Sequence, residues 1–78
     1  MKIHCFGAAR DIAGGSSLHL EDLEGITIGD LRQRLVTAYP GFGELVSFAI
    51  ARNEEYARDE ERITPGDELV IIPPVAGG

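Results

Sequence analysis

The segment Leu69-Val70-Ile71-Ile72 places four apolar residues in succession, so that it carries apolar side chains on both faces if it is extended. A strand of that kind belongs in the middle of a sheet, because a strand covered on one side only alternates apolar with polar. Against it the sequence offers one substantial amphipathic helix. Thr27 provides an N-cap, Asp30 stands three residues on in a capping-box arrangement, and Ile28, Leu31, Leu35, Ala38 and Tyr39 recur at helical spacing until Pro40-Gly41 ends the run. One helix covers one sheet face. The 78 residues therefore predict a single α+β domain with a mixed sheet, packed on one side and open on the other. With Ile3, Cys5, Leu69 and Ile71 turned to the helix, period two sends Phe6 and Ile72 to the open face, an apolar patch of the sort that meets a partner.

The other elements follow from local pattern. Lys2 to Ala8 has strand composition, Ala9 to Ala13 reads as a single helical turn, and the Gly14-Gly15-Ser16 cluster breaks the chain before a second strand. Ser17 to Leu23 alternates, with Leu18, Leu20 and Leu23 against polar neighbours, as a hairpin partner for the first strand. Phe42 to Val46 is ambiguous. Alternation resumes over Phe48 to Arg52 and stops at Asn53-Glu54-Glu55; Tyr56-Ala57 is a short strand, and Thr64-Pro65-Gly66-Asp67 is a strong turn leading into the final strand, Glu68 to Ile72. Local pattern alone is compatible with several α+β arrangements.

Thirteen acidic against seven basic residues give a net charge of -6, which repels nucleic acid and favours a basic partner surface. Lys2 is the only lysine. No stretch is long and apolar enough to cross a bilayer and no signal-like segment opens the chain, so a cytoplasmic protein is expected, with no membrane partner. One cysteine, Cys5, leaves no internal disulfide and no zinc framework; no metal is expected.

The chain closes on Pro73-Pro74-Val75-Ala76-Gly77-Gly78. The two prolines hold stiff, extended backbone. Two residues without Cβ then give a slender end that can be threaded through a narrow channel and approached closely by another protein's catalytic groups. The expectation is that the terminal carboxylate of Gly78 is itself the reactive group.

The run from Pro65-Gly66-Asp67-Glu68 through Ile71-Ile72-Pro73-Pro74-Val75-Ala76-Gly77-Gly78 resembles the small subunit of molybdopterin synthase, in the MoaD branch of the MoaD/ThiS ubiquitin-like sulfur carriers. The resemblance spans the chain: Phe6 to Arg10-Asp11 followed by Gly14-Gly15, the Leu31-Arg32 pair, and Ala51-Arg52-Asn53 belong to it. It implies a ubiquitin-like β-grasp domain over residues 1–74 and a flexible Gly-Gly tail over 75–78. It also implies a non-catalytic carrier subunit, a co-substrate that binds no cofactor of its own. An E1-like adenylyltransferase, using ATP and magnesium, would convert the Gly78 carboxylate to an acyl-adenylate, and a sulfur donor protein would turn that into a thiocarboxylate. The tail, with Gly77 as slender neighbour, would then enter the large synthase subunit, in a heterotetramer, and pass sulfur to cyclic pyranopterin monophosphate. Phe6, Tyr56 and Ile72 match the family's hydrophobic partner-binding surface, Ile72 replacing an aromatic residue, and Pro73, Pro74, Val75 and Ala76 match the segment that enters the partner.

Two other readings share the same tail: a ubiquitin-like protein modifier or thiazole-pathway carrier, and a β-grasp interaction module with an inert end. Among the remaining residues, Cys5 reads as a buried strand cysteine, His4 and His19 as surface residues, Arg10-Asp11 as part of a partner contact or a local ion pair, and Asp59-Glu60-Glu61 as a solvated loop able to steer docking.

Overall fold

The structure, a computed structural model, describes residues 1–45 and 47–74. Its helix α2 (Ile28–Ala38) begins at the reciprocal cap expected from the sequence. The Thr27 hydroxyl accepts from the Asp30 backbone N–H at 3.1 Å, and an Asp30 carboxylate oxygen accepts from the Thr27 N–H at 3.3 Å. Ile28, Leu31 and Leu35 are fully buried along one stripe. Proline cannot continue the α-helix, and Pro40 instead opens a 3-10 turn over Pro40–Glu44, which resolves most of the ambiguous segment and buries Phe42.

Five strands form one sheet: β1 (Lys2–Cys5), β2 (Ser17–His19), β3 (Ala49–Arg52), β4 (Glu55–Tyr56) and β5 (Leu69–Ile72), in the order β2-β1-β5-β3-β4. The apolar strand β5 is central, as its composition requires. It runs parallel to β1, with Ile3 opposite Leu69 and Cys5 opposite Ile71, and antiparallel to β3. First and last strands parallel at the centre, with one main helix across one face, make the β-grasp arrangement. Ile3, Cys5, Ile50, Leu69 and Ile71 are at most 1% exposed and join the helix stripe in one core.

Local geometry differs from expectation at two strands. β1 ends at Cys5 and does not reach Ala8, because Gly7 (φ 53°, ψ -129°) turns the chain into the short helix α1 (Ala8–Ala13). β2 is three residues long and does not extend to Leu23. Leu20 exchanges both backbone bonds with Met1 as the last pair of the ladder, and Asp22 at φ 59° then turns the chain away; Leu23 is still buried, but from a loop. Asn53 and Gly66 suit the turns they occupy, whereas Glu54 is held in the left-handed region that a glutamate does not favour. Asn53 and Glu54, at φ 54° and 70°, make the two-residue β3–β4 hairpin, and Gly66 at φ 84° after Pro65 makes the type II turn closed by Asp67 N–H to the Thr64 carbonyl at 3.2 Å.

Candidate functional site

Alternation along each strand builds the second sheet face. The register aligns Ser17, His4, Val70, Ala51 and Tyr56 in a single row across all five strands. Toward the end where β5 finishes, Ala49 lies opposite Ile72, and Phe6 follows Cys5 onto the same side. Among the described residues no helix covers this face. Phe6 is 57% and Tyr56 73% exposed, the two large apolar side chains most open to solvent among the described residues. The structure thus brings Phe6, Tyr56 and Ile72 onto one face, as the alternation and the resemblance predicted, and adds Ala49, Ala51 and Val70 between them. Those three were missed by sequence reading, although continuing the period-two count through β3 and β5 finds them.

Charge is distributed unevenly around the sheet. None of the open-face strand positions, from Lys2 on β1 to Tyr56 on β4, holds a carboxylate; Glu55 is opposite Arg52 on the other side of its strand. The net charge of -6 therefore does not describe this surface. The acidic side chains lie in loops and on the helix side. On the β5–β3–β4 half of the open face a partner meets apolar contact, whereas Lys2, His4, Ser17 and His19 make the β1–β2 half polar, with the Glu21 carboxylate 2.9 Å from His19.

The open face leads directly to the tail. Pro73 and Pro74 continue from β5, Pro73 half-buried and Pro74 exposed. A Cβ on Gly7 would come within 3.3 Å of Pro73 Cγ, so the glycine lets the β1–α1 connection approach the exit of the last strand. The expected contact residues Val75 and Ala76 and the expected reactive end Gly77-Gly78 lie outside the described residues.

At the other end, β5 is held by a polar clasp. Asp67, its side chain 6% exposed, accepts four hydrogen bonds: from Thr64 N–H (2.7 Å), the Arg52 guanidinium (2.6 Å), the Asn53 amide (2.9 Å) and the Thr64 hydroxyl (2.9 Å). Asn53 and Glu68 exchange two further bonds that fasten the hairpin to β5. Burial alone would raise the Asp67 carboxyl, but these donors together hold it well below the usual carboxylate range. Arg52 also reaches Glu61 at 3.3 Å. The Arg58 backbone N–H, helped by the Arg52 guanidinium, outweighs desolvation and lowers the Glu61 carboxyl too.

Two sequence readings are corrected here. Asp59-Glu60-Glu61 is not simply a solvated loop: Glu61 is half-buried in this network, and Asp59 accepts from Arg32 through its side chain and from Gly29 through its carbonyl. Arg10 and Asp11 do not pair with each other, since adjacent helix residues point apart; they line an open cleft of about 500 Å³ with Gly7, Gly14 and Gly15. His19 is exposed beside Glu21 at 2.9 Å, and His4 is half-buried in the open-face row. Among the described residues no cluster of His, Cys, Asp and Glu could hold a metal, and no helix is long and apolar enough to cross a membrane.

Cys5 is 1% exposed in the core, and burial pushes its thiol up from the ordinary value, which disfavours the nucleophilic thiolate. Cys5→Ala is expected to cost about 1 kcal/mol by removing buried volume, as read by chemical denaturation. It should leave any transfer chemistry at the tail unchanged.

The model of the ThiS family matches residues 3–78. The molybdopterin synthase sulfur carrier subunit of Arabidopsis thaliana is 37% identical over 79 residues, covering all of this chain and 82% of that protein. Small archaeal modifier protein 1 of Haloferax volcanii is 32% identical over 87 residues and covers both chains completely. The crystal structure of SAMP1 from Haloferax volcanii superposes with a TM-score of 0.80 at 28% identity, over 99% of this chain and 97% of that one.

Proposed function

The chain belongs to the ThiS family, and we propose on that basis that it is a sulfur carrier acting as the small subunit of molybdopterin synthase. The observation that carries the proposal is the continuity between surface and tail. The central strand contributes Val70 and Ile72 to the open apolar face and then runs through Pro73-Pro74 toward Gly77-Gly78. A large subunit seated on that face is thereby aligned with the tail.

The chemistry follows from the terminal group. A carboxylate is ionised at neutral pH, with an α-carboxyl pKa of ~3.5, and resists attack by sulfur. In this reading an adenylating enzyme and ATP join the Gly78 carboxylate to AMP with release of pyrophosphate. The terminal sulfur of a donor persulfide displaces AMP to give an acyl disulfide, and a second thiol of the donor attacks the donor's sulfur in that bond, forming a disulfide on the donor and releasing the thiocarboxylate. The large subunit then directs that sulfur to cyclic pyranopterin monophosphate, and the carrier returns as carboxylate. No group on the described surface is needed as acid or base. The chain supplies reach, a docking face and a narrow end.

The full-length likeness to small archaeal modifier protein 1 favours a second reading, in which the same activated terminus is joined to amines of other proteins. Intact mass after incubation with an adenylating enzyme, ATP and a persulfide donor separates the two. Exchange of one oxygen for sulfur, followed by dithiolene formation with the large subunit, supports the carrier. Conjugates of higher mass without sulfur exchange support the modifier.

Phe6→Glu tests the docking face. A carboxylate forced into an apolar contact costs a few kcal/mol, and large-subunit affinity should fall about 100-fold by calorimetry. Stability should change little, because Phe6 is already 57% exposed. Ile72→Glu should weaken binding similarly but cost more stability, since Ile72 is half-buried.

A further inference from the structure

Strand β2 is an edge of the sheet, paired on one side only, with β1. Antiparallel strands alternate pairs that exchange both backbone bonds with pairs that exchange none. Met1 and Leu20 exchange both, at 2.7 and 3.1 Å, and the Cys5 N–H reaches the Ser16 carbonyl at 2.8 Å. Ile3–Leu18, midway between them, is therefore the bonded pair, and the N–H and C=O groups of Ser17 and His19 point away from β1. No backbone bond from another described residue engages those four groups. β2 contains no proline or lysine to discourage pairing, whereas β4, at the other edge, begins with Glu55. On the helix side of this edge an open groove of about 300 Å³ separates β2 from α2, lined by Leu20, Gln33, Arg34, Thr37 and Ala38. Arg34 donates to the Asp22 carbonyl at 3.1 Å and pairs with no described carboxylate. On the opposite side of the strand His19 stands beside Glu21 at 2.9 Å.

We propose that the β2 edge receives an extended segment of another protein as a sixth strand, antiparallel to β2, with apolar side chains and a carboxylate on its helix-facing side.

Each property of the occupant is set by a property of the site. Unpaired N–H and C=O groups two residues apart select extended backbone, and antiparallel pairing gives four bonds to the residues opposite Ser17 and His19. Period two then turns every other side chain of the added strand toward the groove, where Leu20, Thr37 and Ala38 suit small β-branched residues. Arg34 takes the carboxylate, and Glu21 keeps acid off the other side. An isolated acid fits better than an acidic run, because the net charge of -6 opposes the latter. The groove is on the helix side, so its occupation leaves Phe6, Ile72 and Tyr56 uncovered. A protein held at β2 therefore does not compete with one seated on the apolar half of the open face.

The probe is the peptide acetyl-Asp-Thr-Val-Thr-Val-Thr-Asp-amide, whose aspartates and valines share one face and whose side-chain order is the same in both directions. Titrated into the isotope-labelled full chain and followed by NMR, it should shift the Ser17, His19 and Leu20 amides and those of Gln33 to Ala38, leave the Phe6 and Tyr56 amides in place, and slow hydrogen exchange at Ser17 and His19 about 10-fold. N-methylation of the threonines, which oppose Ser17 and His19, should weaken binding about 10-fold or more by removing edge bonds; N-methylation of the valines should not. Arg34→Gln should weaken the peptide about 5-fold with the fold unchanged, and a peptide with asparagine for aspartate should bind both forms alike. No binding at millimolar peptide, undiminished affinity of the threonine-methylated peptide or of Arg34→Gln, or shifts centred on Phe6 and Tyr56 each overturns the proposal. Shifts at Ser17 and His19 that follow protein concentration without peptide would give the edge to a second copy and overturn it as well.

Discussion

One residue added after Gly78 is expected to abolish sulfur delivery while leaving the domain folded and bound to its partner. The tail follows Pro74, beyond the final strand, and among the described residues the buried core runs from Ile3 to Ile71. An extra residue moves the reacting carboxyl by up to ~3.5 Å. Displacement by 1 Å from an attacking geometry can already cost about 100-fold in rate, so turnover with the large subunit should fall at least that far. Deleting Gly78 should do the same by shortening the reach. Unchanged circular dichroism and unchanged affinity with lost product formation is the expected combination. An extended variant, shown by mass to be unprocessed, that still formed dithiolene at the native rate would remove the C-terminal mechanism.

Asp67→Ala is expected to be the most destabilising substitution outside the apolar core. It orphans Arg52 Nε, the Thr64 N–H and hydroxyl and the Asn53 amide together, where β5 enters the sheet. Losing one partner of a buried, hydrogen-bonded charge costs about 3 kcal/mol. A domain of this size has only about 4–12 kcal/mol in total, and the melting temperature should fall by roughly 15 °C. The same carboxyl sets an acid limit. Its folded pKa lies below the unfolded value of about 3.9, so its contribution is fully present above that pH and fades as pH falls below it toward the folded value. Asp67→Asn should be less stable at neutral pH and should lack that portion of the acid loss. Urea melts at pH 7 and pH 3 measure both effects, and an Asp67→Ala midpoint matching the native one would show that the clasp does not hold β5.

What was readable in the sequence was short-range or periodic. The Thr27-Asp30 cap, the Thr64-Pro65-Gly66-Asp67 turn and the two faces of β1 and β5 each depend on residues a few positions apart. The clasp was not readable, because Arg52 and Asp67 are 15 positions apart and meet only after β3 and β5 pair. The acidic run looked solvated for the same reason: its partners, Arg32 and Arg52, come from distant elements. Alternation over Ser17 to Leu23 promised a longer strand than formed, since Leu20 makes the last ladder pair, exchanging both backbone bonds with Met1, Asp22 then turns the chain at φ 59°, and Leu23 finds burial from a loop. For the site, period two located Phe6 and Ile72, whereas the absence of carboxylates from the open-face strand positions needed the register of all five strands.

The parallel pairing of β1 with β5 has a consequence for biosynthesis. The strand at the middle of the sheet is the last to be made, and β1 and β3 each lack a neighbour until Leu69–Ile72 leaves the ribosome. Such pairing joins the two ends of the chain, which makes it a high-contact-order step and places cooperative folding after synthesis of the final strand. A nascent or prematurely terminated chain lacking that strand cannot display Val70 and Ile72 between β1 and β3. Folding thus acts as a check on length up to the last strand: chains that stop before Leu69–Ile72 cannot assemble the open face, whereas the loss of tail residues alone leaves that face intact.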